Sequence, residues 1–466
     1  MSAWMSARAC AAQFLPQPAH FRATLRLALP VVVVQVGLML FGVVDTIMVG
    51  HISGASLAAV GLGNFYFFVV TVLGMGTLMA IDPVASQAVG ARDREGIALA
   101  VQRGLLLTVG LSIPLSALLW PCDAAFRLLA QQSDVIPLAT TYVRVSIPGV
   151  MPFLGFVVFR QSLQALHRLR PIVFTIAVAN LLNVLFNWIL IFGHLGFPPL
   201  GVAGAAWATT ISRWIMAILL LWFSWSDLGP QIVPFRRKAL ERAPLWRMFQ
   251  VGAPIGLQYF LEVGAFSLVG IVIGWLGTSQ QAGHNIALNL ASLTFMVPLG
   301  VSAAAAVLVG QAIGRGDPVG ARRFAGAALV CGAAFMTLAA VIFLSIPRLL
   351  ARCYTHDPAV IEIAAALIPI AGVFQPFDGL QVVSGGILRG AGDTRAPVVV
   401  NLAGFWAFGV PVSIYLGFWT DLGALGLWWG FVAGLGAVAA FLIVRIAFRL
   451  SGEISRLVID ERKIDS

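Results

Sequence analysis

Twelve long apolar stretches run through this chain of 466 residues, and they limit what it can fold into. A helix needs roughly 20 apolar residues to cross the bilayer core of about 30 Å. Barrel strands would instead show segments of about ten residues with alternating hydrophobicity. The sequence therefore predicts an all-α polytopic membrane protein with twelve transmembrane helices. The stretches lie at 27–49, 57–88, 97–121, 136–163, 171–192, 201–225, 248–275, 284–312, 324–346, 361–388, 396–418 and 424–448.

The composition excludes a soluble domain. Charged residues make up 10% of the chain and hydrophobic residues 59%, whereas a soluble protein carries about 25% charged residues. The net charge of +10 does not indicate nucleic-acid binding, because the basic residues sit at the ends of apolar stretches. The four cysteines are far apart and form no CxxC pair, so they predict neither a metal site nor a disulfide. The lipid bilayer is the expected partner, and nucleic acid is not.

Lysine and arginine predict the orientation. If twelve helices are threaded from a cytosolic N-terminus, 23 of the 29 basic residues fall on the cytosolic side and three fall outside. The remaining three, Arg144, Arg160 and Arg213, lie within helices. Basic residues concentrate in cytoplasmic loops, so we expect both termini in the cytosol. Residues 1–25 then form a cytosolic tail or short surface helix rather than a signal peptide, and 450–466 form a second tail.

The chain repeats itself. Gln87-Ala88-x-Gly90-x-x-Asp93-x-x-Gly96 returns 224 residues later from Gln311, and Leu200-Gly201-x-x-Gly204-x-x-Trp207 returns 222 residues later from Leu422. This predicts an N-lobe at 26–228 and a C-lobe at 248–449, joined by a basic linker at 229–247. Six spans per lobe put both repeats in the same orientation. We therefore expect a pseudo-two-fold axis along the membrane normal and a binding cavity at the lobe interface.

Four acidic residues fall within the predicted spans: Asp45, Asp82, Glu262 and Asp378. Charge inside a membrane is costly and usually functional. Burial disfavours the ionised form of a carboxylate, so such a group can take up a proton, and when ionised it can hold Na⁺ or an organic cation. The alternative is a structural acid that pairs with an arginine or a helix end. Asp82 is the weaker candidate, because it precedes Pro83 and could cap the helix that follows.

Amides and a hydroxyl add to these candidates. Asn183 and Asn187 are spaced four residues apart, which places both on one face of the fifth helix. Amide oxygens can ligate a cation, and the amide nitrogens can donate to a carboxylate. Thr209 in the sixth helix is a candidate of the same type. The alternative role for these residues is hydrogen bonding between helices.

Motifs for other chemistry are missing from the sequence. It contains no GxxxxGKS loop, which argues against an ATP-driven pump, and no HExxH or GxSxG motif. We therefore do not expect an enzyme, a cofactor or a bound metal other than Na⁺.

At several motifs the chain resembles the multidrug and toxic compound extrusion (MATE) family, and most of all its NorM-type bacterial branch. The motifs are Val44-Asp45-Thr46-Ile47-Met48, Pro83-Val84-Ala85-x-Gln87-x-x-Gly90-Ala91, Asn183-x-x-x-Asn187, Phe260-Leu261-Glu262-Val263, His284-x-x-Ala287-Leu288-Asn289, Asp378-x-x-Gln381-Val382-Val383 and Leu388-Arg389-Gly390. The likeness spans about residues 25 to 448.

The resemblance implies an exporter of lipophilic, mostly cationic compounds that is driven by H⁺ or Na⁺. It implies a multi-pass protein of the bacterial inner membrane, which we expect to be a monomer. It also implies an N-lobe ion or proton site at Asp45, Asn183, Asn187 and Thr209, and a C-lobe cation or substrate site at Glu262 and Asp378.

Two positions depart from the NorM-type pattern. Relatives of this branch often place a tyrosine four residues before the tenth-helix acid, whereas this chain has Phe374. The missing hydroxyl puts a C-lobe Na⁺ site in question. Asp82 is the second departure, although an acid at this place resembles other branches of the family.

Three further interpretations remain open. A lipid-linked sugar flippase of the same superfamily would need a basic cavity for pyrophosphate, and the acids in the spans weigh against it. A channel would not need two ion-coupled lobes. A membrane-embedded transferase would need clustered DxxxD-like metal motifs, which the sequence lacks.

Overall fold

The computed structural model describes residues 14–129, 131–452 and 454–460. Within these ranges the chain forms helices and turns, with no β-strand. Twelve helices are long and apolar enough to cross a membrane, which confirms the predicted fold class. They are α1 (Pro18–Gly50), α2 (Gly54–Gly90), α3 (Arg94–Leu119), α4 (Val135–Ala165), α5 (Arg170–Phe192), α6 (Val202–Phe223), α7 (Arg242–Gly274), α8 (Thr278–Gly314), α9 (Pro318–Ser345), α10 (Pro358–Gly390), α11 (Arg395–Phe418) and α12 (Ala424–Ser451). Cys10 and the outer parts of the two predicted tails, 1–13 and 461–466, lie outside the described residues.

Three of the long helices change geometry along their length. Helix α2 is interrupted between Gly54–Leu78 and Ile81–Gly90, and α4 contains a 3₁₀ turn at Ile147–Gly149. Helix α11 is wound as a π-helix at Leu402–Gly409, a form that is rare and often lies near functional sites. Shorter helices occur outside the spans at Cys122–Leu128, Trp225–Ile232, Arg237–Leu240 and Pro347–Arg352.

Two helices begin earlier than their apolar stretches. Helix α1 starts at Pro18, within the predicted tail 1–25, and α7 starts at Arg242, within the predicted linker 229–247. Hydropathy marks the part of a helix that lies in lipid. It does not mark the point where the helix itself begins, because arginine is a good helix former.

The repeat is visible in the backbone. Gly201 and Gly423 precede α6 and α12 with nearly identical left-handed angles, φ 55° and φ 54°. A Cβ atom on Gly204 would lie 2.3 Å from a carbonyl oxygen of α5, and one on Gly426 would lie 2.2 Å from a carbonyl oxygen of α11. The repeated glycines therefore supply the same turn and the same close helix packing in each half.

The repeated aspartates have a structural role. Asp93 accepts a hydrogen bond from the backbone N–H of Gly96 at 2.9 Å, and Asp317 accepts one from Gly320 at 2.7 Å. Each carboxylate caps the N-terminus of the next helix, α3 or α9. The repeated motif thus encodes a helix turn rather than an ion site.

Packing divides the described residues into two compact units. The first-half unit contains 33–89, 93–256 and 458–460, and the second-half unit contains 14–32, 90–92 and 257–457. Two of the divisions lie well inside a long helix, and each follows a proline closely: Pro30 in α1 and Pro254 in α7. The second-half unit contains 26–32 and 90–92 of the predicted N-lobe 26–228, and the first-half unit contains 248–256 of the predicted C-lobe 248–449.

Candidate functional site

Asp45 is the centre of a polar cluster inside the first-half unit. Its side chain comes from α1 and is 1% exposed. The carboxylate accepts hydrogen bonds from Asn187 Nδ2 at 2.7 Å and from Thr209 Oγ1 at 2.5 Å. A buried carboxylate is tolerated only when such donors replace water. The cluster thus joins α1 to α5 and α6 through a single acidic side chain.

The two asparagines extend the cluster along α5. Asn187 Nδ2 also donates to Asn183 Oδ1 at 3.2 Å, and Asn183 Nδ2 donates to Thr209 Oγ1 at 3.4 Å. Both asparagines are fully buried. The structure therefore brings together the four residues proposed from the sequence for the N-lobe site. Their role in ion coupling remains a prediction.

One amide oxygen of this cluster can bind an additional group. Asn187 Oδ1 is buried and has no hydrogen-bond partner among the described residues. A carbonyl-type oxygen beside a carboxylate can accept a hydrogen bond from a protonated group, and it can also coordinate Na⁺. The donor set at Asp45 therefore fits either coupling ion.

Tyr142 belongs to the same cluster, and the sequence did not single it out. Its hydroxyl lies 3.0 Å from Asn64 Oδ1 and 3.4 Å from Asp45 Oδ2. One hydroxyl proton serves one acceptor at a time, and the shorter distance favours Asn64. Tyr142 is 1% exposed. It can therefore accept a hydrogen bond from Asp45 once that carboxyl is protonated. A tyrosine within an apolar span, one of five tyrosines in the chain, was the signal available in the sequence.

Arg213 places a positive charge near this carboxylate. It lies one helical turn after Thr209 on α6, and its charge attracts that of Asp45. The guanidinium stacks on Phe67, with Cζ 3.9 Å from the ring centroid. Among the described residues it makes no ion pair with Asp45, so the carboxylate is not neutralised by direct contact. Arg213 thus offsets part of the cost of a buried negative charge while it leaves the oxygens of Asp45 to other donors.

A second acidic site lies in the second-half unit. Glu262 comes from α7 and Asp378 from α10, and they are 8% and 5% exposed. Gln381 Nε2 donates to Glu262 Oε2 at 3.3 Å, and the charge of Glu262 repels that of Asp378. Gln381 Oε1 is buried without a hydrogen-bond partner among the described residues. Two carboxylates and a spare amide oxygen form a donor set for a cation.

Phe374 contributes no polar atom to this second site. Its ring is 1% exposed and lies 5.6 Å from the ring of Trp428. His284 packs edge-on against the same tryptophan at 5.6 Å. The missing hydroxyl noted in the sequence is therefore replaced by aromatic packing.

Asp82 lies apart from both sites in its contacts. It is 1% exposed and stands in the first turn of Ile81–Gly90, directly after the interruption of α2. Gln161 Nε2 donates to its carboxylate at 3.4 Å. A carboxylate in the first turn of a helix interacts favourably with the helix dipole. The role of Asp82, in transport or in capping this helix, remains a prediction.

Metal-binding clusters of the usual kind do not occur in the described part of the chain, where no group of three or more His, Cys, Asp or Glu is placed to hold an ion. Cys122, Cys331 and Cys353 are free thiols. The candidate sites are therefore the two oxygen-rich clusters around Asp45 and Glu262.

Twelve spanning helices with buried acids in both halves define a multi-pass helical membrane protein of the transporter class. The family model MatE matches residues 30–189 and 254–415, two segments of similar length that start at Pro30 and Pro254. The chain belongs to the MatE family. It is accordingly a transporter and not an enzyme.

Relatives and solved structures agree with this assignment. The chain is 34% identical over 447 residues to a "Probable multidrug resistance protein NorM" of Rhizobium meliloti (strain 1021), with 94% of this chain and 95% of the relative covered. It is 35% identical over 444 residues to a "Multidrug resistance protein NorM" of Burkholderia vietnamiensis, with 94% and 96% covered. The fold is similar to that of the eukaryotic MATE transporter AtDTX14, with a TM-score of 0.86 at 21% identity over 93% of this chain and 98% of the other. The predicted resemblance to the MATE family and its NorM-type branch is confirmed.

Proposed function

We propose that this protein exports lipophilic, mostly cationic compounds across the bacterial cytoplasmic membrane in exchange for H⁺ or Na⁺. The observation that carries the proposal is Asp45, a buried carboxylate whose hydrogen-bond donors come from two other spanning helices. The names of the relatives, which are multidrug resistance proteins, support the substrate class. They do not favour the alternative of a lipid-linked sugar flippase, and neither do the buried acids.

The coupling step follows from the donors and acceptors at Asp45. In the ionised state the carboxylate accepts from both Asn187 and Thr209. When Asp45 takes up a proton, one of its oxygens becomes a donor and needs an acceptor. Asn187 can supply it by turning its amide so that Oδ1 faces Asp45. When Na⁺ binds instead, the same turn brings Oδ1 toward the ion. Either ion therefore rearranges the hydrogen bonds between α1 and α5.

The available driving force is sufficient for such a rearrangement. Moving one charge across 100 mV is worth about 2.3 kcal/mol. Shifting a two-state equilibrium from 1:99 to 99:1 takes about 5.5 kcal/mol. One or two ions that move down both a potential and a concentration gradient supply this energy.

The second-half site is the proposed place for a cationic substrate or a second ion. Glu262 and Asp378 repel one another when both are ionised. A cation between them relieves this repulsion, so binding is favoured without a resident metal. Gln381, hydrogen-bonded to Glu262, supplies the amide oxygen that completes the donor set.

The membrane orientation belongs to the same proposal. The excess of Lys and Arg at one end of the spans supports a cytosolic position for both termini. We also propose that the protein acts as a monomer.

Reconstituted vesicles test the proposal. Purified protein is placed in proteoliposomes, and ethidium transport is measured with a pH gradient and a Na⁺ gradient imposed separately. We expect wild-type protein to transport the dye with one of the two gradients, and Asp45→Asn to lose this transport. Asp134→Asn is the matched control, since it removes an exposed carboxylate by the same chemical change. Transport by Asp45→Asn at the wild-type rate would refute the proposed role of Asp45.

A further inference from the structure

The last described residues, 458–460, belong to the first-half unit. Helix α12 ends at Ser451, where Arg322 of α9 donates to the carbonyl oxygens of Leu450 at 2.6 Å and Ser451 at 3.4 Å. Residues 458–460 then pack within the first-half unit. We refer to 454–460 as the C-terminal segment. Eight residue-to-residue steps lead from Ser451 to Ile459, so the connection reaches at most about 28 Å.

A buried arginine receives the end of this segment. Arg103 of α3 is 1% exposed. Its Nη1 donates to Asp460 Oδ2 at 3.1 Å, and its Nη2 donates to Asp460 Oδ1 at 2.5 Å. Nη2 also donates to the carbonyl oxygen of Lys238 at 3.1 Å. Two parallel charged hydrogen bonds are the strongest arrangement that a guanidinium and a carboxylate can form. Asp460 therefore supplies the counter-charge that a buried arginine requires.

A second contact holds the residue before Asp460. Arg247 Nη1 donates to the carbonyl oxygen of Ile459 at 2.7 Å, and the Ile459 side chain is 5% exposed. The segment is thus anchored by one carboxylate, one backbone carbonyl and one apolar side chain.

The residues around Arg103 are also held in place by hydrogen bonds. Gln102, next to Arg103, donates to the carbonyl oxygens of Gln231, Ile232 and Pro234 at 3.0–3.1 Å. Its Oε1 accepts from the backbone N–H of Arg236 at 2.9 Å. Gln102 therefore holds the segment between α6 and α7 next to Arg103.

We propose that the C-terminal segment is a latch: Asp460 pairs with Arg103, Arg247 holds the carbonyl oxygen of Ile459, and these contacts tie the end of α12 to the first-half unit. One end of the connection is held in the second-half unit by Arg322, and the other end is held in the first-half unit by Arg103. A transport cycle that moves these two anchors apart is limited by the reach of the connection, which is at most about 28 Å. We expect the docked latch to limit this movement and so to slow turnover. This role in turnover rests on the proposed transport function, whereas the docking itself does not.

Hydrogen exchange of the full-length protein in nanodiscs tests the docking. We compare wild type, Asp460→Asn and Glu241→Gln by following the amides of 454–460 and 236–240. Asp460→Asn removes the charged partner of Arg103, and we expect exchange in both segments to become about tenfold faster. Glu241→Gln is the control, because it removes an exposed acid of the same region that makes no ion pair in the described chain. Asp460→Glu keeps the carboxylate and should stay close to wild type.

The rate of dye transport tests the role of the latch. We expect Asp460→Asn, and a chain truncated after Leu457, to transport ethidium at least twofold faster than wild type. Unchanged exchange in Asp460→Asn would overturn the docking. Faster exchange with an unchanged transport rate would overturn the latch. If the wild-type protein carries no dye at all, the proposed function fails, and the exchange measurement still decides the docking.

Discussion

The hydroxyl of Thr209 offers a sharp test of the Asp45 cluster, because the next residue provides a matched control. Thr209 Oγ1 donates to Asp45 Oδ2 at 2.5 Å. Thr210 Oγ1 donates to the carbonyl oxygen of Val145 at 3.0 Å. The two threonines are 3% and 2% exposed and lie on the same helix. Valine replaces either one with nearly the same shape and without the hydroxyl.

The two substitutions should have different consequences. A hydrogen bond to a charged group contributes about 1.5–3 kcal/mol, and one between neutral groups about 0.5–1.5 kcal/mol. Thr209→Val removes a charged hydrogen bond and so destabilises the ionised state of Asp45, through which each cycle must pass. A tenfold change corresponds to about 1.4 kcal/mol. We therefore expect ion-driven transport to fall about tenfold to a hundredfold. Thr210→Val removes a neutral hydrogen bond and should lower stability while transport changes little.

The assay is the initial rate of ethidium transport in proteoliposomes that contain equal amounts of folded protein. The melting temperature of each variant in detergent is measured in parallel, so that a loss of fold is separated from a loss of coupling. Equal transport by the two variants, or a wild-type rate for Thr209→Val, would refute the reasoning. A loss of transport in Thr210→Val at an unchanged melting temperature would contradict it as well.

Three further predictions concern orientation, packing and the second acidic site. In intact cells, a membrane-impermeant maleimide should label Cys353, because this cysteine is exposed. Cys122 should react slowly, because burial raises the pKa of its thiol and leaves less thiolate at neutral pH. Labelling of Cys353 only after permeabilisation would reverse the proposed orientation. Gly204→Ala should lower the melting temperature sharply, because its Cβ would meet a backbone carbonyl, whereas Gly155→Ala has open space and should cost little or stabilise by up to about 1 kcal/mol. Equal melting temperatures would contradict the close packing. Glu262→Gln should raise the melting temperature, because it removes a charge that repels Asp378, and it should slow dye transport. A lower melting temperature would show that the Glu262 carboxylate stabilises the fold.

Several features of the site could be predicted from the sequence, because they rest on local spacing. Acids within apolar stretches stand out at once, and the spacing of four between Asn183 and Asn187 places both on one helix face. The expected grouping of Asp45 with these asparagines needed the family resemblance. No local pattern shows which helices meet.

Other partners could not be predicted, because the residues are far apart in the chain. Arg103 and Asp460 are separated by 357 positions, and a single aspartate near a polar terminus carries no local signal. The sequence showed that Arg213 lies within a helix, but only the packing of α1, α4 and α6 shows that Arg213 and Tyr142 lie near Asp45. The repeat motif did not reveal the role of Asp93, which the structure shows to be a helix cap.

The sequence by itself determined the number of spans, the two repeats and the excess of basic residues at one end of the spans. These follow from the thickness of the bilayer and from the cost of placing charge in lipid, which act on each segment separately. The tertiary structure decided which polar groups share a cluster, how α2 and α11 depart from regular helix, and which residue pairs with Asp460. Those outcomes depend on packing between distant helices, where a buried carboxylate or guanidinium is stable only if another segment supplies its partner.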